Sequence, residues 1–183
     1  MKKTDNGLVI LNQEQVLKVL NAKPKGMTLL GNVGLGKSWL YDQVFDNQLG
    51  DKGFYENRAP MYTANSISGM YSSGGMELIL QKFKYQLEGR QALVIDDIGT
   101  EIIGASYGTK MDIIEWLILE CYAAKTPIFT TTNLTLDALT KRYGSRVVDR
   151  LKEKTFFIVL EGKSYREETY ANTEQDLNVL LSE

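Results

Sequence analysis

The chain of 183 residues is long enough to form one domain with a complete hydrophobic core. Histidine is absent, which excludes His-based metal sites and Ser–His–Asp catalysis, and the single Cys121 cannot form an internal disulfide. The net charge of −2 and the pI of about 5.4 give no overall preference for nucleic acid, so a DNA contact would need a local patch. No signal peptide or membrane span is visible in the sequence, and we expect a cytoplasmic protein.

The first 26 residues predict a single helix. Asn12 is a suitable N-cap and Gln15 stands at the third helical position, the arrangement of a capping box. Its apolar side is formed by Val16, Leu17, Val19 and Leu20. Pro24 ends the helix, because proline cannot continue it. We expect residues 1–26 to be a helical extension packed on the rest of the domain.

A phosphate-binding loop follows. Residues 31–38 match the pattern G-x-x-x-x-G-K-S, between an apolar run at 27–30 that predicts a strand and a helix-like run at 39–49. Glycines let the backbone turn several N–H groups inward, and the start of a helix adds partial positive charge there. The alternative interpretation is a Gly-rich turn that closes a strand–helix corner.

This loop predicts a site for a nucleoside triphosphate. Lys37 would reach the β- and γ-phosphates, and Ser38 would give its hydroxyl to Mg²⁺. The predicted nucleotide-binding residues are Gly31, Asn32, Val33, Gly34, Leu35, Gly36, Lys37 and Ser38.

The next segment predicts an exposed connection at 50–59, a strand at 59–64, a Ser/Gly-rich turn region at 65–75 and a helix at 76–87. Basic side chains lie in or just after that helix, at Lys82, Lys84 and Arg90. They are either a solvated face or a contact with nucleic acid.

Two carboxylates follow the next apolar run. Residues 92–95 predict a strand covered on both sides, and it ends in Asp96 and Asp97. Near a phosphate loop, Asp96 would bind Mg²⁺, directly or through water, and Asp97 would polarise the attacking water. The alternative is a pair of aspartates in a helix cap or turn.

A Gly- and Ser-containing loop at 99–108 precedes a predicted helix at 109–124, with Thr109 as its cap. This helix has little polar face, which indicates burial on more than one side or a contact between subunits. We expect Trp116 to lie in the core and Cys121 to be a buried thiol.

A strand is predicted at 127–132, and Asn133 follows it. The amide could orient the hydrolytic water and touch the γ-phosphate, or it could simply end the strand. A short helix is predicted at 135–143, with Gly144 as its stop.

Two arginines lie four residues apart in the following segment. Arg146 and Arg150 share one face, where like charges favour an anion opposite them, and Asp149 could supply part of it. In the functional interpretation they project at the γ-phosphate bound by a neighbouring subunit. A closing strand is predicted at 156–160, and residues 167–183 are expected to be a tail with a short helix.

These elements predict an α/β fold with a five-stranded, mostly parallel sheet flanked by helices. The chain resembles the AAA+ ATPases and, more narrowly, the group of bacterial DnaC-type helicase loaders and IstB-type transposition helpers. The resemblance covers residues 27–166, and its carriers are the phosphate loop, Leu-Val-Ile-Asp-Asp-Ile-Gly-Thr-Glu ending at Glu101, Thr-Thr-Asn ending at Asn133, and Tyr-Gly-Ser-Arg-Val-Val-Asp-Arg-Leu at 143–151.

The resemblance implies a slow, partner-stimulated, Mg²⁺-dependent ATPase that assembles with other copies of itself on single-stranded DNA. It implies that Asp96 is the metal-associated acid, Asp97 the water-activating acid and Asn133 the sensor. Arg150 would be the arginine acting in trans, with Arg146 beside it.

The expected partner is a replicative helicase, although this chain has only about one helix where loaders of the family carry a helicase-gripping region. The small C-terminal helical lid usual in AAA+ proteins is also not expected. Two alternatives stay open at this stage: a transposition helper of the IstB kind, and a nucleotide-gated interaction module with little hydrolysis.

Overall fold

The computed structural model describes residues 2–22, 24–45, 59–106 and 108–165. The connection expected at 50–59 lies outside these ranges except for Ala59, and the tail expected at 167–183 lies wholly outside them. The expected lack of a C-terminal lid concerns the same final stretch of the chain.

A six-stranded sheet forms the centre of the domain, in the order β1-β8-β2-β7-β4-β3, and every pair of neighbouring strands is parallel. Two further strands, β5 and β6, form an antiparallel hairpin. The strands are β1 Val9–Leu11, β2 Gly26–Leu30, β3 Met61–Thr63, β4 Leu93–Asp96, β5 Gly104–Ser106, β6 Thr109–Met111, β7 Ile128–Thr132 and β8 Phe156–Leu160.

The five predicted strands are all present in the central sheet. The predicted count of five is corrected to six by β1, which pairs with β8 at the edge of the sheet. The sequence predicted only a helix in this stretch, because three residues are too few to show an alternating pattern.

Helices cover both faces of the sheet. They are α1 Gln13–Asn21, α2 Lys37–Phe45, α3 Ala64–Lys82, α4 Lys84–Leu87, α5 Ile113–Ala123 and α6 Leu136–Lys154. The predicted capping box of α1 is confirmed, since the Asn12 side chain accepts from the Gln15 backbone and the Gln15 side chain accepts from the Asn12 backbone.

The turn region predicted at 65–75 is wrong, because α3 begins at Ala64. Thr63 caps it, with its hydroxyl accepting from the backbone N–H of Ser66 at 3.1 Å. Ile67 and Tyr71 are buried one turn apart, so packing outweighs the low helix propensity of Ser and Gly. The helix is interrupted at Gly75, where φ is 64°.

The cap predicted at Thr109 is also wrong. Thr109 lies in the β5–β6 hairpin, and α5 starts after Asp112, whose side chain accepts from the backbone N–H of Glu115 at 3.1 Å. Of the hairpin, β5 lies within the predicted loop at 99–108, and β6 takes the first residues of the predicted helix.

The core has one layer on each face of the sheet. On β4, Leu93 and Ile95 belong to one layer and Val94 to the other, as alternation along a strand requires. Cys121 lies within the first layer, as expected, whereas Trp116 is only partly buried and packs against the outside of that layer. Burial raises the pKa of the Cys121 thiol to about 12. None of the helices in the described ranges is long and apolar enough to cross a membrane.

Candidate nucleotide-binding site

The carboxyl ends of three adjacent strands lie side by side, and a predicted site residue stands at or just after each end. β2 leads into the phosphate loop, β4 ends at Asp96, and β7 is followed by Asn133. Because β2, β7 and β4 are parallel neighbours, the fold brings these residues together.

The ammonium group of Lys37 is enclosed by the phosphate loop. Lys37 is 5% exposed, and its Nζ donates to the carbonyl oxygens of Gly31 and Asn32, each at 2.8 Å. It also donates to Oδ1 of Asn133 at 2.6 Å. The positive charge is therefore fixed inside the loop by hydrogen bonds.

The backbone conformation of the loop favours glycine at two positions. Gly34 and Gly36 have φ of +86° and +78°, a conformation that favours glycine. A Cβ at Gly34 would lie 2.2 Å from the Ser164 hydroxyl, and one at Gly36 would lie 2.5 Å from Nε2 of Gln13. The amide of Gln13 donates to the carbonyl of Leu35 at 2.7 Å.

Ser38 and Asp96 form the oxygen-donor pair that the sequence predicts for Mg²⁺. The Ser38 hydroxyl lies 2.8 and 2.9 Å from the two carboxylate oxygens of Asp96, and Thr131 also donates to Oδ1. Hard oxygen donors are the ligands Mg²⁺ prefers, and in nucleotide sites one or two protein ligands accompany phosphate and water. Across the described ranges, no group of three or more His, Cys, Asp or Glu residues could hold a metal ion.

Asp97 has an uncommon backbone conformation that its neighbours hold in place. Its φ is 55°, and non-glycine residues with such values cluster at functional sites. Its N–H donates to the Thr131 hydroxyl at 2.9 Å, and its carbonyl accepts from the Thr100 hydroxyl at 2.8 Å. From this turn the Asp97 carboxylate reaches the side chain of Asn133.

The amide of Asn133 joins the two halves of the site. Its Oδ1 accepts from Lys37, and its Nδ2 donates to Oδ1 of Asp97 at 2.9 Å. A strand-ending asparagine needs no such pair of charged partners, so this geometry favours the functional interpretation of the sequence.

A buried ion-pair network next to this site was missed by the sequence analysis. The Glu101 side chain is 1% exposed and accepts from Nη2 of Arg142 at 2.6 Å, from the Gly99 N–H at 2.8 Å and from the Tyr143 hydroxyl. Arg142 also pairs with Asp112. Burial raises the pKa of the Tyr143 hydroxyl. No local pattern connects residues so far apart in the chain.

The predicted arginines lie elsewhere. The sequence predicted a helix stop at Gly144, and α6 is indeed interrupted there, with φ of 80°, but continues to Lys154. Arg146 is exposed and has no hydrogen-bond or ion-pair partner within the described ranges. Arg150 contacts Tyr122 and Glu153. Within one chain, neither arginine is brought to Lys37 or Asp97.

The basic residues predicted as a possible nucleic-acid contact are exposed at the end of α3 and beyond it. Lys82 lies over the ring of Tyr62 at 5.7 Å, and Arg90 over that of Tyr85 at 5.2 Å. Lys84 begins α4.

A pocket of about 310 Å³ lies beside the phosphate loop. It is lined by Gln13, Gly36, Trp39 and Tyr165. Trp39 and Tyr165 are about half exposed, and the Tyr165 hydroxyl donates to Gln13 at 2.9 Å. Gln13, Trp39 and Tyr165 were not among the site residues predicted from the sequence.

Solved structures share this architecture. The DnaC helicase loader matches with a TM-score of 0.57 at 21% identity, over 81% of this chain and 86% of that one. The fold is that of an AAA+ P-loop NTPase. AMPPCP-bound DnaA from Aquifex aeolicus matches with a TM-score of 0.55 at 14% identity, over 90% of this chain and 50% of that one. Domain III of the Thermotoga maritima replication initiation protein DnaA matches with a TM-score of 0.53 at 17% identity, over 87% and 66%.

These matches confirm the fold class predicted from the sequence and, at the level of fold, the resemblance to DnaC-type proteins. No protein-family model matches the chain, and no curated protein matches it.

Proposed function

We propose that this protein is an AAA+ ATPase that binds ATP with Mg²⁺ at residues 31–38 and hydrolyses it. The observation that carries the proposal is the Asn133 amide, which accepts from Lys37 on one side and donates to Asp97 on the other. The Asn133 side chain thus has the Lys37 ammonium at one end and the Asp97 carboxylate at the other, which supports a role for Lys37 toward the phosphates and for Asp97 toward water.

In the proposed reaction, the loop N–H groups and Lys37 hold the β- and γ-phosphates. Asp97 accepts a hydrogen bond from the attacking water, and Asn133 fixes the direction of the carboxylate. Ser38 and Asp96 would hold Mg²⁺, which neutralises charge on the phosphate oxygens. The pocket lined by Trp39 and Tyr165 has the position and the aromatic walls expected for the base.

Calorimetry with Mg-ATP tests the binding step. We expect the parent chain to release heat on binding, and Lys37→Ala to lose it. Lys141→Ala is a matched control, since Lys141 is an exposed lysine on α6. No heat from the well-folded parent, or equal heat from the parent and Lys37→Ala, would remove the proposal.

We further propose that a second copy completes the ATP site with Arg150, and that Arg146 lies in the same contact. This proposal is supported by the exposure of both arginines and by their separation from the phosphate loop of their own chain. Light scattering with and without Mg-ATP measures the assembly. A mass that stays monomeric under both conditions, with or without an oligonucleotide, would contradict it.

We propose that the ATPase acts in DNA replication, in the cytoplasm, on a replicative helicase and single-stranded DNA. The fold likeness to the DnaC helicase loader and to DnaA supports this role, and Lys82, Lys84 and Arg90 are the candidate DNA contacts.

Pull-down with a cognate hexameric helicase tests the partner, and failure to form an ATP-sensitive complex would remove this part of the proposal. Binding to single strands should weaken steeply with salt. Coating of duplexes instead would favour a helper of the IstB kind.

A further inference from the structure

Arg150 is held on the surface by a small aromatic and acidic cluster. Its guanidinium lies 4.8 Å from the centre of the Tyr122 ring, and its Nη1 is 3.3 Å from the Tyr122 hydroxyl. Nη1 also donates to Oε2 of Glu153 at 3.2 Å. Tyr122 stands near the end of α5, whereas Arg150 and Glu153 stand on α6, so the cluster joins two helices.

The ring of Tyr122 is itself fixed. Its hydroxyl donates to Oε2 of Glu153 at 2.7 Å, and this hydrogen bond raises the pKa of the Tyr122 hydroxyl and lowers that of the Glu153 carboxyl. A ring anchored at its hydroxyl presents a stable face to a guanidinium.

The contacts leave most of the guanidinium available. An arginine side chain has five N–H donors, and within the described ranges the hydrogen bonds of Arg150 use Nη1 alone. The Nε and Nη2 groups can still donate to an anion. Arg146, one turn earlier, has no comparable support in the described part of the chain.

Stability does not account for this cluster. Arg150 and Glu153 are 45% and 57% exposed, and exposed ion pairs contribute little to folding because water screens them. The cost of ordering a long side chain is better explained if its position matters to something outside the chain.

We propose that Tyr122 is a positioning residue, which presents the guanidinium of Arg150 to the γ-phosphate bound by a neighbouring copy. The inference rests on the proposed function, in which Arg150 completes that site. In this role Tyr122 contacts neither ATP nor the attacking water and acts only through Arg150.

Mixing two inactive variants separates this role from a structural one. Lys37→Ala protomers keep Arg150 but cannot use ATP, and Arg150→Ala protomers keep the phosphate loop, so activity in the mixture comes from sites shared between them. Tyr122→Leu is then added to one partner at a time, and turnover is measured with and without a single-stranded oligonucleotide.

We expect Tyr122→Leu to lower kcat of the mixture roughly fivefold when it is carried by the Lys37→Ala protomer. In the Arg150→Ala protomer it should have no effect, and KM for ATP should not change in either case. Tyr122→Phe keeps the ring face but loses the hydroxyl that anchors it, so its turnover should lie between that of Tyr122→Leu and that of the unmodified mixture.

Tyr85→Leu is the matched control, because Tyr85 carries Arg90 in a similar exposed stack at 5.2 Å. A mixture that carries Tyr85→Leu in place of Tyr122→Leu, measured without the oligonucleotide, should have the same turnover as the unmodified mixture. The thermal unfolding midpoint should not be changed by Tyr122→Leu, Tyr122→Phe or Tyr85→Leu.

An equal loss from Tyr122→Leu in both protomers, or no loss in either, would overturn the inference while the shared site stands. No activity in the unmodified mixture, with or without the oligonucleotide, would remove the shared site and this inference with it. ATP binding by the parent chain is measured separately and is not affected by either result.

Discussion

The phosphate site and the arginine-bearing face of α6 differ in how their functional groups are held. Lys37 and Asp96 are 5% and 8% exposed. Lys37 is hydrogen-bonded to Asn133 after β7, and Asp96 to Ser38 on α2 and Thr131 on β7. Arg150 is 45% exposed and rests on two side chains at the surface. Folding alone therefore orders Lys37 and Asp96, whereas Arg150, in its proposed role, would act on a group that another molecule brings to it.

This contrast has a chemical reason. Charged groups that are buried must find partners, so the residues of the phosphate site fix one another before any ligand arrives. An exposed arginine keeps its hydration until an anion replaces the water. The two regions therefore predict different consequences for substitutions.

The largest effect is expected for Arg150→Ala. If this side chain completes a neighbour's site, turnover should fall about 10³-fold while the affinity for ATP stays nearly unchanged. Arg146→Ala is the comparison, and we expect a loss of less than about tenfold because no hydrogen bond or ion pair in the described part of the chain orders that side chain. Steady-state turnover and calorimetry measure both. Equal losses from the two arginines would show that the contacts of Arg150 with Tyr122 and Glu153 do not affect turnover.

Asn133→Ala should have the next largest effect. Without the amide, the direction of the Asp97 carboxylate is no longer fixed, and turnover should fall about 10²-fold with ATP still bound. The control is Asn65→Ala, which removes an exposed amide from the first turn of α3. Turnover and calorimetry decide the matter, and an Asn133→Ala enzyme with the parent's rate would leave Asn133 as a strand terminator.

A smaller effect, on stability rather than turnover, is expected for Glu101→Gln. The change weakens a buried acceptor of three hydrogen bonds and should lower the free energy of unfolding by about 2 kcal/mol. Urea unfolding measures it. Glu153→Gln is the exposed counterpart and should leave the unfolding midpoint unchanged. Comparable losses from the two would mean that burial does not distinguish these acidic clusters.

The sequence predicted which segments meet at the candidate phosphate site because each of their motifs is local. The loop pattern, the apolar run before Asp96 and the β-branched strand before Asn133 are each contained in a few consecutive residues. Parallel pairing then brings the strand ends together, so the fold follows from the order of the elements.

What the sequence could not provide depends on contacts between distant segments. Ser and Gly in residues 65–75 favour a turn, whereas the burial of Ile67 and Tyr71 and the cap at Thr63 favour the helix. The contact of Gln13 with the phosphate loop and the pairing of Glu101 with Arg142 join residues 22 and 41 positions apart. Neither spacing corresponds to a helical or strand period.

The edge strand β1 and the helix α1 contribute to the sheet and to the walls of the candidate nucleotide site. The strand pairs with β8, and Gln13 at the start of the helix supports the loop carbonyl of Leu35 and lines the pocket beside Gly36. A shortened version of the protein that begins at Gly26 would uncover one side of β8 and leave that pocket open. Affinity tags and fluorescent reporters are therefore better placed away from residues 9–21.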